Sequence, residues 1–209
     1  MHSHPLFARA YSALAPRADD AGAAEHRQSL LAGLRGRVLE VGCGPGGNFP
    51  HYRGEVIQVL ALEPEPWLRA RAATAARQAG VPVAVVGGLA ESLPVASASI
   101  DAVVFSLVLC SVTDPVAALA EARRVLRPGG QVRIYEHVRS AAPRVAGAQR
   151  ALDRFWPHVA GGCHTSRDPL ASAAAAGLSP AWVRRFDFPP GRLARPLREH
   201  VLACVVAEG

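Results

Sequence analysis

The sequence predicts an α/β fold: a doubly wound, mostly parallel sheet of seven strands with helices on both faces. Three observations carry this. Short apolar runs alternate with helix-forming stretches through the first two-thirds of the chain. The run Val38–Val41 breaks into a turn with glycines at Gly42, Gly44, Gly46 and Gly47. Two more strand-like runs come after the last helix-forming stretch. In order, residues 21–34 read as an amphipathic helix and Arg37–Val41 as the first strand. Residues 47–52 are expected to open a helix after the turn. Val56–Leu62 is the second strand and ends at Glu63; residues 65–79 form a helix that stops at Gly80. Residues 81–86 and 100–105 are the third and fourth strands. Asp114 and Pro115 suit the N-cap and first turn of a helix reaching Leu126. Arg127-Pro128-Gly129-Gly130 is a turn, and Gln131–Glu136 the fifth strand. Residues 145–159 and 167–176 read as helices, and residues 181–186 and 200–207 as the last strands. Residues 1–36 form a helical lead-in to a single domain over 37–209.

Composition narrows the function classes. The chain has 209 residues and a formal net charge of +6, yet every basic residue is Arg. With the abundance of Ala, Gly and Pro this is a coding bias rather than a nucleic-acid footprint. No basic block or aromatic-interleaved basic stripe appears, so no nucleic-acid partner is expected. Cys43, Cys110, Cys163 and Cys204 form no Cys-x-x-Cys pair, and no Cys/His doublets show zinc spacing. No metal is therefore expected. The longest apolar run, 102–112, is too short to span a bilayer, and no stable membrane anchor is read. A cytoplasmic, thiol-reduced protein is the default.

The glycine turn allows two ligands. Gly42, Gly44 and Gly47 fit a dinucleotide loop, and Glu63 stands where its ribose-binding acid would be. The same glycines and acid suit S-adenosylmethionine (SAM). Glu40 favours SAM, because a carboxylate beside the turn welcomes an α-amino group and repels a pyrophosphate.

Val38–Asn48 resembles the first motif of class I SAM-dependent methyltransferases, those with a type 11 methyltransferase domain. Ala90-Glu91-Ser92-Leu93-Pro94, Ser99–Val104 and Leu126–Gly130 are similar to that family's adenine loop, fourth strand and following turn, in the same order. The segments Ser106–Val112, Glu136-His137-Val138 and Gly161–Arg167 resemble the methyltransferase-like alkyl-thiol methyltransferases in particular. The resemblance implies a Rossmann-like doubly wound seven-stranded sheet with an antiparallel last strand. It also implies SAM as cofactor and a small, lipophilic acceptor, with a thiol as first choice. The implied cofactor residues are Glu40, Gly42, Cys43, Gly44, Gly46, Asn48, Glu63, Pro64, Ala90, Glu91 and Ser106. Leu89 stands where many relatives carry an Asp for the adenine amino group, which leaves adenine to the backbone near Ala90 or to Glu91.

A thiol reacts as its thiolate, so a nearby base or cation would assist. His137, at the end of the fifth strand, is nominated as the base, with Leu109, His164 and Arg167 as acceptor-pocket residues. Glu136 and His137 equally suit a hydrogen-bonded strand end, and Cys163 a packed thiol. Three rivals stay open: a C- or O-methyltransferase of a quinone or natural-product intermediate, an NAD-dependent oxidoreductase, and a non-catalytic SAM-binding module.

Overall fold

A computed structural model describes residues 5–188 and 195–207. Met1–His4, the start of the expected lead-in, and the last two residues lie outside the described residues. The strands are β1 (Gly36–Val41), β2 (Val56–Leu62), β3 (Val83–Val86), β4 (Ile100–Ser106), β5 (Leu126–His137), β6 (Leu178–Asp187) and β7 (Glu199–Ala207). They form one sheet in the order β3-β2-β1-β4-β5-β7-β6. β1 to β5 are mutually parallel, while β7 runs antiparallel between β5 and β6. The seven-stranded expectation holds, with β7 as the antiparallel strand.

Side-chain alternation sorts the strands into two cores. Leu39, Val41, Val103, Phe105, Val132 and Ile134 face one side, against Leu119 and Ala122 of α4 (Pro115–Val125) and Ala173 of α7 (Pro169–Ala175). Val38, Ala102, Val104 and Tyr135 face the other, against Leu30 and Leu31 of α2 (Ala24–Leu31) and Ala72 of α3 (Pro66–Ala76). Strand order reverses between β1 and β4, so the loops leaving their carboxyl ends part and open a crevice there.

Four local expectations are corrected. After the glycine turn there is no α-helix over 47–52, only a 3-10 turn, Phe49–His51. Pro50 is the second residue of that turn and Tyr52 is already extended, so the ladder never propagates. The expected helix over 21–34 is α2 alone, preceded by a kink at Gly22 (φ 114°) and by α1 (Pro5–Ala18), which the sequence pattern does not mark as a separate element. The single helix expected over 145–159 is two, α5 (Pro143–Leu152) and α6 (Trp156–Val159). Pro157 has no N–H to continue the ladder, and the Asp153 carboxylate accepts from Thr165 and Ser166 instead. Finally, β5 begins at Leu126, opposite Ile100, and the Arg-Pro-Gly-Gly turn is a bulge within it before pairing resumes at Gln131.

Capping matches the sequence closely. Asp114 Oδ1 accepts from Val116 N (2.9 Å) and Ala117 N (3.0 Å), and Asp168 Oδ1 accepts from Ala171 N (3.1 Å). Each such cap contributes about 1 kcal/mol.

Candidate active site

The crevice at the β1/β4 switch point is a cavity of about 670 Å³, a size that suits SAM together with a small acceptor. One part is built by the segments after β1, β2 and β3. Gly42 and Gly44 bring the backbone to its wall. Both adopt the left-handed conformation, φ 67° and 56°. A Cβ on Gly42 would stand 2.6 Å from Val108 Cγ2, whereas one on Gly44 would meet only Tyr11, at 3.5 Å. The first glycine is required by packing as well as conformation, the second by conformation.

Glu63 directly follows β2 and reaches the cavity with Pro64 beside it. Its Oε2 accepts from Gly44 N (2.8 Å) and its Oε1 from Glu65 N (2.9 Å). Burial raises its pKa while the two N–H groups hold it down. The carboxylate is thereby fixed in place with lone pairs left for two vicinal hydroxyls. This fits the ribose of SAM. Ala90 and Glu91 also line the cavity, but Glu91 Oε1 already accepts from Thr113 N (2.8 Å) and Asp114 N (3.2 Å). Leu89, at the position where relatives carry Asp, is on the wall and 43% exposed.

Glu40, Cys43, Gly46 and Asn48 lie outside the cavity lining. Glu40 alternates with Val41 and faces the α2 side of the sheet. Its carboxylate accepts from Asn48 Nδ2 (2.9 Å) and Tyr52 OH (2.8 Å). Arg27 Nη1 donates to Asn48 Oδ1 (3.0 Å), and Arg27 Nε pairs with Asp19 (3.0 Å). Burial lifts the Glu40 carboxyl to about 7 against these donors. A buried chain thus runs from the lead-in through Arg27 and Asn48 to Glu40, beneath the glycine turn. Arg27 carries no signal in the sequence, because nothing about one arginine in an amphipathic helix marks it as buried; it is 6% exposed.

The remaining wall is assembled from distant segments. Ser106, Leu107 and Val108 stand at and just after the end of β4, and Ser111–Thr113 lie beyond. Phe7, Ala8 and Tyr11 come from α1, and Pro157, His158, Gly161 and Gly162 from α6 and the turn after it. The Phe7 and Tyr11 rings stack at 5.8 Å. Gly161 lets Phe7 lie on the turn, since a Cβ there would be 2.5 Å from Phe7 Cδ1.

The residues nominated for chemistry on the acceptor side are placed elsewhere. His137 is buried, and its Nε2 is 3.2 Å from Cys163 Sγ. With Leu109 and Arg167 it lines a tight crevice that shares no residue with the cavity wall. Arg167 Nη1 donates to Leu109 O (2.7 Å) and Val112 O (2.6 Å), pinning the loop after β4. His164 turns its Nδ1 to Gly162 O (2.9 Å), and its backbone N–H donates to Cys110 O (2.8 Å). The neighbour of His137, Glu136, accepts from Val108 N (2.5 Å) and Leu109 N (2.6 Å), and its Oε2 is buried without a partner. These groups shape the loop from behind: Glu136 and His137 are buried at the end of β5, and Arg167 reaches the loop carbonyls.

Residues 39–134 match the methyltransferase domain family. Over 184 residues the chain is 34% identical to human thiol S-methyltransferase TMT1B, covering 84% of this chain and 73% of that protein. The chain belongs to the SAM-dependent methyltransferases. Among solved structures, geranyl diphosphate methyltransferase in complex with SAM superposes with a TM-score of 0.68 at 17% identity, covering 88% of this chain and 84% of that one. The [4+2]-cyclase SpnF superposes with 0.71 at 22% identity, covering 88% and 81%. At such identities the likeness speaks for the fold, which also carries chemistry other than methyl transfer. The family assignment displaces the oxidoreductase reading of the glycine turn. Among the described residues no helix is long and apolar enough to cross a membrane.

Proposed function

We propose that this methyltransferase S-methylates a small lipophilic thiol. The observation that carries the reading is the composition of the acceptor wall: Phe7, Leu107, Val108, Val112 and Pro157 close it with apolar surface. The name of the human relative points the same way. When bound, SAM supplies an electrophilic methyl group that a thiolate displaces in line. A cysteine thiol has a pKa of about 8.5 and a simple alkyl thiol is a weaker acid, so only a small fraction is thiolate near neutral pH, and that fraction is the reacting species. The protein's part is then to align sulfur with methyl and to exclude water.

In this reading Glu63 holds the ribose, Gly42, Gly44 and Ser106 border the methionine end, and Pro64, Ala90 and Glu91 flank the adenine. Glu40, Cys43, Gly46 and Asn48 support the turn from beneath. His137, Leu109, His164 and Arg167 are positioning residues for the loop after β4. Phe7, Ala8 and Tyr11 of α1, within the expected lead-in, close the pocket. The test is a panel of alkyl thiol, phenol and quinol acceptors with labelled SAM. Labelled thioether is expected, and label appearing only on oxygen or carbon would favour the quinone or natural-product alternative.

A further inference from the structure

Three side chains that the methyl-transfer reading leaves without chemistry meet behind the acceptor wall. Cys110 Sγ, His137 Nε2 and Cys163 Sγ lie within 4.8 Å of one another. They come from the loop after β4, the end of β5 and the turn after α6. Their separations in sequence, 27 and 26 residues, match no zinc spacing, so the sequence alone marks no site.

The geometry points to a Zn²⁺ site formed by Cys110, His137 and Cys163, with Glu136 beside the cluster but outside the set of donor atoms that lie within 4.8 Å of one another. Two thiolates and an imidazole are the donor set that a thiophilic d¹⁰ divalent cation takes. Tetrahedral Zn²⁺ bonds of about 2.0–2.3 Å put donor atoms roughly 3.3–3.8 Å apart. The His137–Cys163 separation of 3.2 Å already falls close to that range. The second, independent observation is Glu136. It lines the same crevice as Cys110 and His137, is 1% exposed, and keeps Oε2 unpartnered. A buried carboxylate oxygen with no donor costs free energy that a cation would offset.

Binding converts two thiols to thiolates and releases two protons to solvent; no electron moves. The ion would add a further tie between three segments that already meet through hydrogen bonds, such as His164 N to Cys110 O. It would lie behind the cavity wall, so its role is to hold the acceptor loop in shape rather than to activate the acceptor.

The test uses the reduced 209-residue protein titrated with Co²⁺. The expected result is a thiolate-to-cobalt charge-transfer band with tetrahedral ligand-field absorption, complete at one equivalent and abolished by Zn²⁺. Cys110→Ser and Cys163→Ser each lose the band, and Cys204→Ser keeps it. In the unsubstituted protein, Zn²⁺ at 100 times its Kd raises Tm by roughly 5–10 °C, a readout that needs no variant to fold. Absence of the charge-transfer band at stoichiometric Co²⁺, or its survival in Cys163→Ser, overturns the site. Neither outcome depends on which acceptor is methylated.

Discussion

The two sides of the cavity are built in different ways. On the SAM side, a strand end, a glycine turn and an acid at the next strand end supply the wall, all between Val38 and Glu91. On the acceptor side, α1, the loop after β4 and the turn after α6 each supply a few residues, from positions as far apart as Phe7 and Gly162. The first wall is a local consequence of strand register: Val41 stands beside Leu62 and Phe105, so the segments leaving these three strand ends must converge. The second depends on packing between distant segments. Local construction is readable and robust, whereas assembled construction is neither.

Substitutions should therefore act differently on the two sides. The largest effect is expected at Glu63. Glu63→Ala removes two backbone hydrogen bonds and the ribose acceptors, and SAM affinity should fall about 100-fold by calorimetry. A loss below tenfold would break the SAM-side assignment. Next comes the glycine turn. Gly42→Ala adds a clash with Val108 to a left-handed backbone, while Gly44→Ala adds only the conformational cost. Thermal unfolding should show losses of about 3 and about 1 kcal/mol respectively. Equal losses would mean that the turn yields at Val108.

On the acceptor wall, Gly161→Ala should push Phe7 off the turn. It is expected to raise the acceptor KM about tenfold with the SAM KM unchanged, which initial-rate kinetics can separate. His137→Gln should lower Tm yet leave the shape of the kcat/KM pH profile intact. Loss of an ionisation near neutral pH from that profile would restore His137 as the base.

The smallest effect concerns pH. The Glu40 carboxyl sits at about 7 when folded, against an ordinary value of 4.5. The folded state then binds more protons than the unfolded one between those values, so this group's contribution makes stability fall as pH rises through that window. Glu40→Gln should flatten the decline of Tm across it. An unchanged slope would show that the donors Asn48 and Tyr52 keep Glu40 ionised throughout.

The limits of the sequence arise from the same contrast. The parallel strands, the glycine turn, Glu63 and the cap at Asp114 are legible because each is encoded within a few residues. Pro50 and Pro157 are plain in the sequence, yet the surrounding helical pattern outweighs them until the structure shows each one cutting an expected helix short. The sequence places His137 and Arg167 at the right end of the sheet, but not on the side of the wall they face. That depends on the burial of the end of β5 and on how far the Arg167 side chain reaches to Leu109 and Val112. Arg27 and the meeting of Cys110, His137 and Cys163 carry no local signal, because only the folded chain brings those segments together.

The central claim is methyl transfer to sulfur within this cavity. Its most direct measurement is incubation of the reduced protein with methyl-labelled SAM and a small alkyl thiol, with product identified by mass spectrometry. The account predicts the methyl thioether in a one-to-one ratio with S-adenosylhomocysteine, and loss of both in Glu63→Ala. Transfer to a quinol or phenol, with no thioether at saturating thiol, would contradict it.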